Sequence, residues 1–299
     1  MRGETPLSRA AGSGHERVVR ILLERNDINP DTADDYGQTP LWHGAWGGHE
    51  GVVRILLEWN GVSPDMADIF GQTPLSQAAE SGYEGVVRIL LERNDVNPDT
   101  ADNRGKTPLW QAAWNGHEGV VRILLERNDI NPNTTSKRSD QTPLSCAAEN
   151  GHEGVVRMLL GRVDVDPNAA DEDGQTPLSF AAQNGHEGAV RVLLGRVDVD
   201  PNAADIDGQT PLSWATQNGH EEIVSILLER NDLDPDIPDN YGQTPLSCAA
   251  QNGYERILKL LQNRGGLVSR SAGGAPPTVL CPAQPSELSE PPFKRTGRL

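Results

Sequence analysis

Several residue sets in this 299-residue chain have types and spacings that chemistry could use. Gly105-Lys106-Thr107 has the ending of a phosphate-binding loop, where backbone N–H groups cradle a phosphate and the lysine neutralises it. The first glycine of such a loop would fall at Thr100, and Pro108 follows at once. The same turn recurs along the chain with Gln38, Gln72 or Gln141 in place of Lys106, so it reads as a scaffold turn carrying a substitution. Asp164, Asp166 and Asn168 open with the spacing of a calcium loop, and Asp198, Asp200 and Asn202 repeat it. The sixth position is Ala169 or Ala203 and the twelfth Gln175 or Gln209, so both the sharp turn and the bidentate carboxylate are lost. A solvated acidic turn is the expectation.

Histidines and serines recur rather than converge. Six of the seven histidines (His15, His49, His117, His152, His186 and His220) occupy one place in a repeated pattern. If stacked helices carry them about 8–10 Å apart, neighbours cannot share one zinc at about 2.0–2.1 Å. Their placement predicts a structural role at a helix entrance. His43 lies outside that series and has no Cys, Asp or His companion at ligand spacing. Serine follows Thr-Pro-Leu six times, which is scaffold behaviour and not that of one activated nucleophile. No catalytic residue, metal or cofactor is therefore expected.

Charge bounds the partners. Lys and Arg total 26 against 43 Asp and Glu, a net charge of -17. Residues 264–299 hold five basic and two acidic side chains, leaving -20 on residues 1–263. That balance argues against duplex nucleic acid and against an anionic membrane surface. Three cysteines are too few for a disulfide scaffold. No apolar run approaches a membrane span of about 18 residues, and the N-terminus lacks a signal-peptide core. A cytoplasmic protein is predicted, with a nuclear location also compatible.

The elements that position these residues come from a repeat. Thr-Pro-Leu begins at Thr5, Thr39, Thr73, Thr107, Thr142, Thr176, Thr210 and Thr244, every 34 residues apart from one interval of 35. Thr73 can cap a helix that Pro74 starts, and Gly82 can end it in the left-handed region. Tyr83 and Glu84 open a second helix, where Val86, Val87, Ile89, Leu90 and Leu91 make more than a narrow stripe. Such a helix must be covered on more than one side, which stacked copies achieve. The Asn, Asp, Pro and Gly between units predict a projecting turn or short hairpin. At 135–140 the turn glycine is missing and a residue is added, so a kink or loosened finger is expected there. Gln262 ends the eighth unit where the others have leucine, as suits a terminal repeat facing water. The first unit starts abruptly at Thr5, as a fragment of something longer could.

These residues resemble the ankyrin repeat, with its Thr-Pro-Leu turn, two antiparallel helices and a projecting finger. The finger sequence Asn94-Asp95-Val96-Asn97-Pro98-Asp99 is similar to arrays from fungal multidomain proteins. Ser76 and Trp110 depart from the histidine that the family often has after Thr-Pro-Leu. The predicted fold is an all-α solenoid of eight helix-turn-helix units with short projecting β-hairpin fingers over residues 1–266, then a disordered Pro-rich tail over 267–299. The resemblance implies a protein-binding scaffold without catalysis, acting as a monomeric array on another protein. The alternative is the sensor or autoinhibitory repeat portion of a larger nucleotide-switch protein.

Positions identical in nearly every unit are used by stacking, so the variable ones are the binding candidates. They are Tyr36, His43 and Trp46 in the second unit, Ile69, Phe70 and Glu80 in the third, and Arg104, Lys106 and Trp114 in the fourth. The resemblance puts finger tips and the inner helix face on one concave groove. Trp42 and Trp110, directly after Leu41 and Leu109, are expected to fill joints between units. The finger aspartates predict a basic or mixed-charge partner.

Overall fold

The computed structural model describes residues 3–25 and 27–265. The tail over 267–299 lies outside the described residues. Sixteen helices form among them, paired in eight units. Each first helix opens on a threonine whose Oγ1 accepts an N–H three residues on, as from Trp42 to Thr39 at 3.1 Å, with proline next. Gly82, at φ 79°, ends the helix Pro74–Ser81 in the left-handed region. In the second helix Glu84–Leu91, Val86, Val87, Ile89 and Leu90 are all buried, so its cover extends over more than one side.

First helices pack on first helices and second helices on second helices, giving two layers around one continuous apolar core. Ala78 and Ala79 are fully buried, and their small size allows the close approach. The ends lack neighbours on one side. Ile21 of the first unit is 62% exposed where its equivalent Ile55 is 4% exposed. In the eighth unit Lys259 and Gln262 are exposed, so that end presents polar groups.

Two hydrogen-bond devices tie neighbouring units. The recurrent histidines open the second helices, and those from His49 onward reach back, as His49 Nε2 donates to the Gly12 carbonyl at 3.1 Å and His186 Nε2 to that of Glu149 at 2.9 Å. Arg93, Arg127, Arg162, Arg196 and Arg230 each grip an aspartate two residues on and donate to a backbone carbonyl of the unit before, as Arg196 Nη1 does to Leu160 at 2.7 Å. Trp59 occupies that place in the second unit, which leaves this joint without the clamp.

Each finger is a tight turn, and no strand forms among the described residues. Asp68 organises one of them: its Oδ1 accepts from the N–H groups of Phe70 and Gln72, both at 2.9 Å, and its own N–H donates to the Gln72 carbonyl. Single backbone bonds join adjacent fingers, as from Ile69 to Tyr36 at 2.8 Å and from Asn103 to Phe70 at 3.0 Å. The irregular finger is docked rather than loosened. Lys137 N–H donates to the Arg104 carbonyl at 2.7 Å, and Asp140, at φ 49°, adopts the left-handed conformation that glycine takes elsewhere.

Candidate functional site

The candidate residues fall in register because the units do. Trp46, Glu80 and Trp114 share the last turn of the first helices Pro40–Trp46, Pro74–Ser81 and Pro108–Trp114. Tyr36, Phe70 and Arg104 share the finger tips, where backbone bonds link them from unit to unit. Together they form one face, made by the first-helix layer and the fingers.

In the second unit Trp42 lies in the first turn of its helix and is 1% exposed, while Trp46, one turn later, is 41% exposed. Their rings stack at 6.5 Å with planes 16° apart, so the buried indole supports the exposed one. The fourth unit repeats the pair: Trp110 donates from Nε1 to the Gln141 carbonyl at 3.0 Å, and Trp114 stacks on it at 5.2 Å. Trp110 thus bridges to the next unit, as expected of a joint residue, and Trp42 is buried within its own. Lys106 adds a cation, its Nζ 4.1 Å from the Trp110 ring centre and 5.5 Å from that of Trp114. Burial lowers the Lys106 pKa, opposed by the nearby Asp102 carboxylate.

The third unit supplies the apolar tip, with Ile69 55% and Phe70 52% exposed. Glu80 is exposed at the helix end and accepts from Gln72 Nε2 at 3.1 Å. Arg104 is exposed in the next finger. His43 is placed differently: it is mostly covered, and its Nε2 donates to Asp34 Oδ2 at 3.2 Å, bracing the finger against the helix. Trp214 Nε1 does the same for Asp205 at 2.9 Å, so the brace belongs to the scaffold. Both pairs are nine residues apart, a spacing visible in the sequence once the fold is known.

Glu149 holds the equivalent place in the repeat but is not among the binding candidates. It stands one unit after Trp114 in the same place, the end of the helix Pro143–Glu149, and accepts from Gln141 Nε2 at 2.8 Å. Burial raises its carboxyl pKa, an effect that this hydrogen bond opposes. Beyond it the equivalents are Gln183, Gln217 and Gln251, so indoles and carboxylates are confined to units two to five of this file.

The family model described as "Ankyrin repeats (3 copies)" matches residues 2–68, 59–136, 128–205 and 197–270. The chain belongs to the ankyrin-repeat family. No curated protein matches it at a significant level. Ankyrin repeats are in general protein–protein interaction modules, and a binding scaffold is the coarse function that the family carries. Among the described residues no group of three or more His, Cys, Asp or Glu side chains could hold a metal, and no helix is long and apolar enough to cross a membrane. Cys146 and Cys248 are buried thiols.

Proposed function

We propose that this ankyrin array is a scaffold that binds a basic or mixed-charge protein on the face formed by its first helices and fingers, with units two to four at the centre. The observation that carries the reading is the placement of aromatics at variable positions, Trp46 and Phe70 exposed and Trp114 half-buried against the core. Trp46, Phe70 and Trp114 stand where other units hold Asp173, Gln183 or Gln217. The fold does not need an aromatic there, whereas interface hot spots are rich in Trp and Tyr. The acidic array supplies long-range attraction for a basic partner. The reading assigns no catalysis to the chain, and it fits a cytoplasmic or nuclear setting, where buried thiols stay reduced.

The test is the double substitution Trp46→Gln and Trp114→Gln. Trp46→Gln alone should melt within about 1 kcal/mol of wild type, as a surface change does, whereas Trp114→Gln also loses packing against the core and is read on its folded fraction. Capture of the native partner, identified by mass spectrometry, should weaken by about 2 kcal/mol or more, and added salt should weaken it further. A variant that melts far below wild type while its folded fraction binds normally would make the two tryptophans joint fillers and refute the groove.

A further inference from the structure

Trp46, Glu80, Trp114 and Glu149 form a file of alternating indole and carboxylate across four successive units. In three of them the side chain is held by the residue that closes its own finger: Gln72 on Glu80, Lys106 over Trp114, Gln141 on Glu149. Successive first helices are packed together, and packed helices lie about 8–10 Å apart. A chain in the extended polyproline II conformation advances about 3.1 Å per residue with three residues per turn, so every third side chain faces the same way. About three residues of such a bound segment therefore span one unit, and the file meets every third side chain of the partner.

The chemistry of each position follows. Glu80 is exposed and forms no salt bridge among the described residues, though it lies within electrostatic reach of Lys106, so its carboxylate is open to a partner's cation. Glu149 is half-buried, and among the described residues its carboxylate accepts only from the neutral Gln141 amide. A partly desolvated carboxylate gains more from a cation than a solvated one. On Trp114 a second cation would meet Lys106, so a flat apolar side chain suits that ring better. Trp46 offers an exposed indole face supported by Trp42, again suited to a flat side chain.

We infer that units two to five bind an extended basic segment whose Lys or Arg side chains stand six residues apart, on Glu80 and Glu149, with flat apolar side chains on Trp46 and Trp114. This rests on the groove proposed above and names the chemistry of what it takes. The net charge of -20 on residues 1–263 favours such a segment over a neutral or acidic one.

The experiment uses the full chain and three synthetic ten-residue peptides of one composition, compared by calorimetry. The first has tryptophan at its first and seventh positions, arginine at its fourth and tenth, and glycine and serine elsewhere. The second is its reverse, which covers the opposite chain direction. The third places the two arginines side by side and the two tryptophans side by side. One of the periodic peptides should bind at least about tenfold tighter than the third. Glu80→Gln and Glu149→Gln should each weaken that peptide about fivefold or more, with melting unchanged in both variants.

Equal binding of all three peptides, binding untouched by the two Gln variants, or no binding at all would overturn the inference. Partner capture that depends on Trp46 and Trp114 while the peptides show no preference would leave the groove standing and the three-residue period wrong. Wild-type capture by the double Trp variant would remove the groove itself, whatever the peptides do.

Discussion

The two halves of the array build the same inter-finger ladder from different side chains. In the C-terminal half Asn133, Asn168 and Asn202 each use both ends of the amide. Asn168 Nδ2 donates to the Asp198 carbonyl at 2.6 Å, and its Oδ1 accepts from Asp200 N–H at 2.9 Å. Asn133 and Asn202 do the same to Asp164 and Asp166, and to Asp232 and Asp234. In the N-terminal half the equivalent residues are Asp31, Asp65 and Asp99. One oxygen accepts from the next finger, as Asp65 Oδ2 does from Asn97 at 2.7 Å and Asp99 Oδ2 from Asn131 at 2.7 Å. The other oxygen is buried without a partner in all three.

A carboxylate has no N–H to offer the carbonyl that asparagine reaches, so each Asp rung makes half the bonds of an Asn rung. The N-terminal half also carries most of the exposed aromatics, Tyr241 being the exception, and lacks the arginine clamp at Trp59. The half with the candidate binding groove is therefore the half with the weaker ladder, and the regular half lends it a rigid continuation.

The largest expected effect comes from degrading the strong half. Asn168→Asp with Asn202→Asp would turn two donating amides into buried carboxylate oxygens aimed at carbonyls. An unsatisfied buried group costs about 1–3 kcal/mol, so the pair should lose roughly 2–4 kcal/mol in urea unfolding. A loss under about 0.5 kcal/mol would show that the amide bonds add nothing to the ladder.

The converse change repairs the weak half. Asp65→Asn with Asp99→Asn should raise stability, by about 0.5–1.5 kcal/mol for each hydrogen bond gained. Any destabilisation would mean that the carboxylates serve a contact that asparagine cannot replace. The gain should also depend on pH. Burial raises the folded-state pKa of Asp65 and Asp99 above the ordinary aspartate value, against the lowering effect of the backbone N–H bond each accepts. The folded chain thus holds these protons more tightly than the unfolded chain. Stability from these two sites is greatest below the unfolded value and is lost as pH rises through the raised one. Once protonated, Asp65 can donate as asparagine does. The advantage of the double Asn variant over wild type should therefore shrink as pH falls from 7 toward 4 in a series of urea melts. An advantage that grows on acidification would contradict the ladder argument.

What could be read from sequence divides along the same physical line. Caps, turn glycines and the apolar second helix are local rules, and Thr73, Gly82 and Val86 behave as those rules require. The buried Trp42 and Trp110 were separable from the exposed Trp46 because they adjoin invariant leucines while Trp46 occupies a variable place, but Trp114, also at a variable place, is half-buried against the core. The backward reach of His186 to the Glu149 carbonyl was foreseen only as a structural role, since its acceptor lies 37 residues away. The His43–Asp34 brace and the burial and Gln141 bond of Glu149 escaped notice because each depends on what the fold brings together, whereas the register of Glu149 with Trp46 and Trp114 follows from the repeat itself. Asp140 was read as a missing glycine. Its side chain type tolerates the left-handed region better than most, and that kept the finger in place.

The smallest effect lies at Asp140, where the two halves meet. A left-handed conformation costs a residue with a Cβ about 1–2 kcal/mol, and glycine avoids that cost. Glycine also has more freedom to lose on folding, which offsets roughly 0.5–1 kcal/mol of the gain. Asp140→Gly should therefore stabilise the array by only about 0.5–1 kcal/mol. The change should be local: hydrogen exchange at Lys137, whose N–H already bonds Arg104, should slow toward that of Asn103 and Ile206 in the regular fingers. If Asp140→Gly instead speeds exchange at Lys137, the aspartate side chain stiffens the turn. The junction would then be reinforced by its irregularity rather than weakened by it.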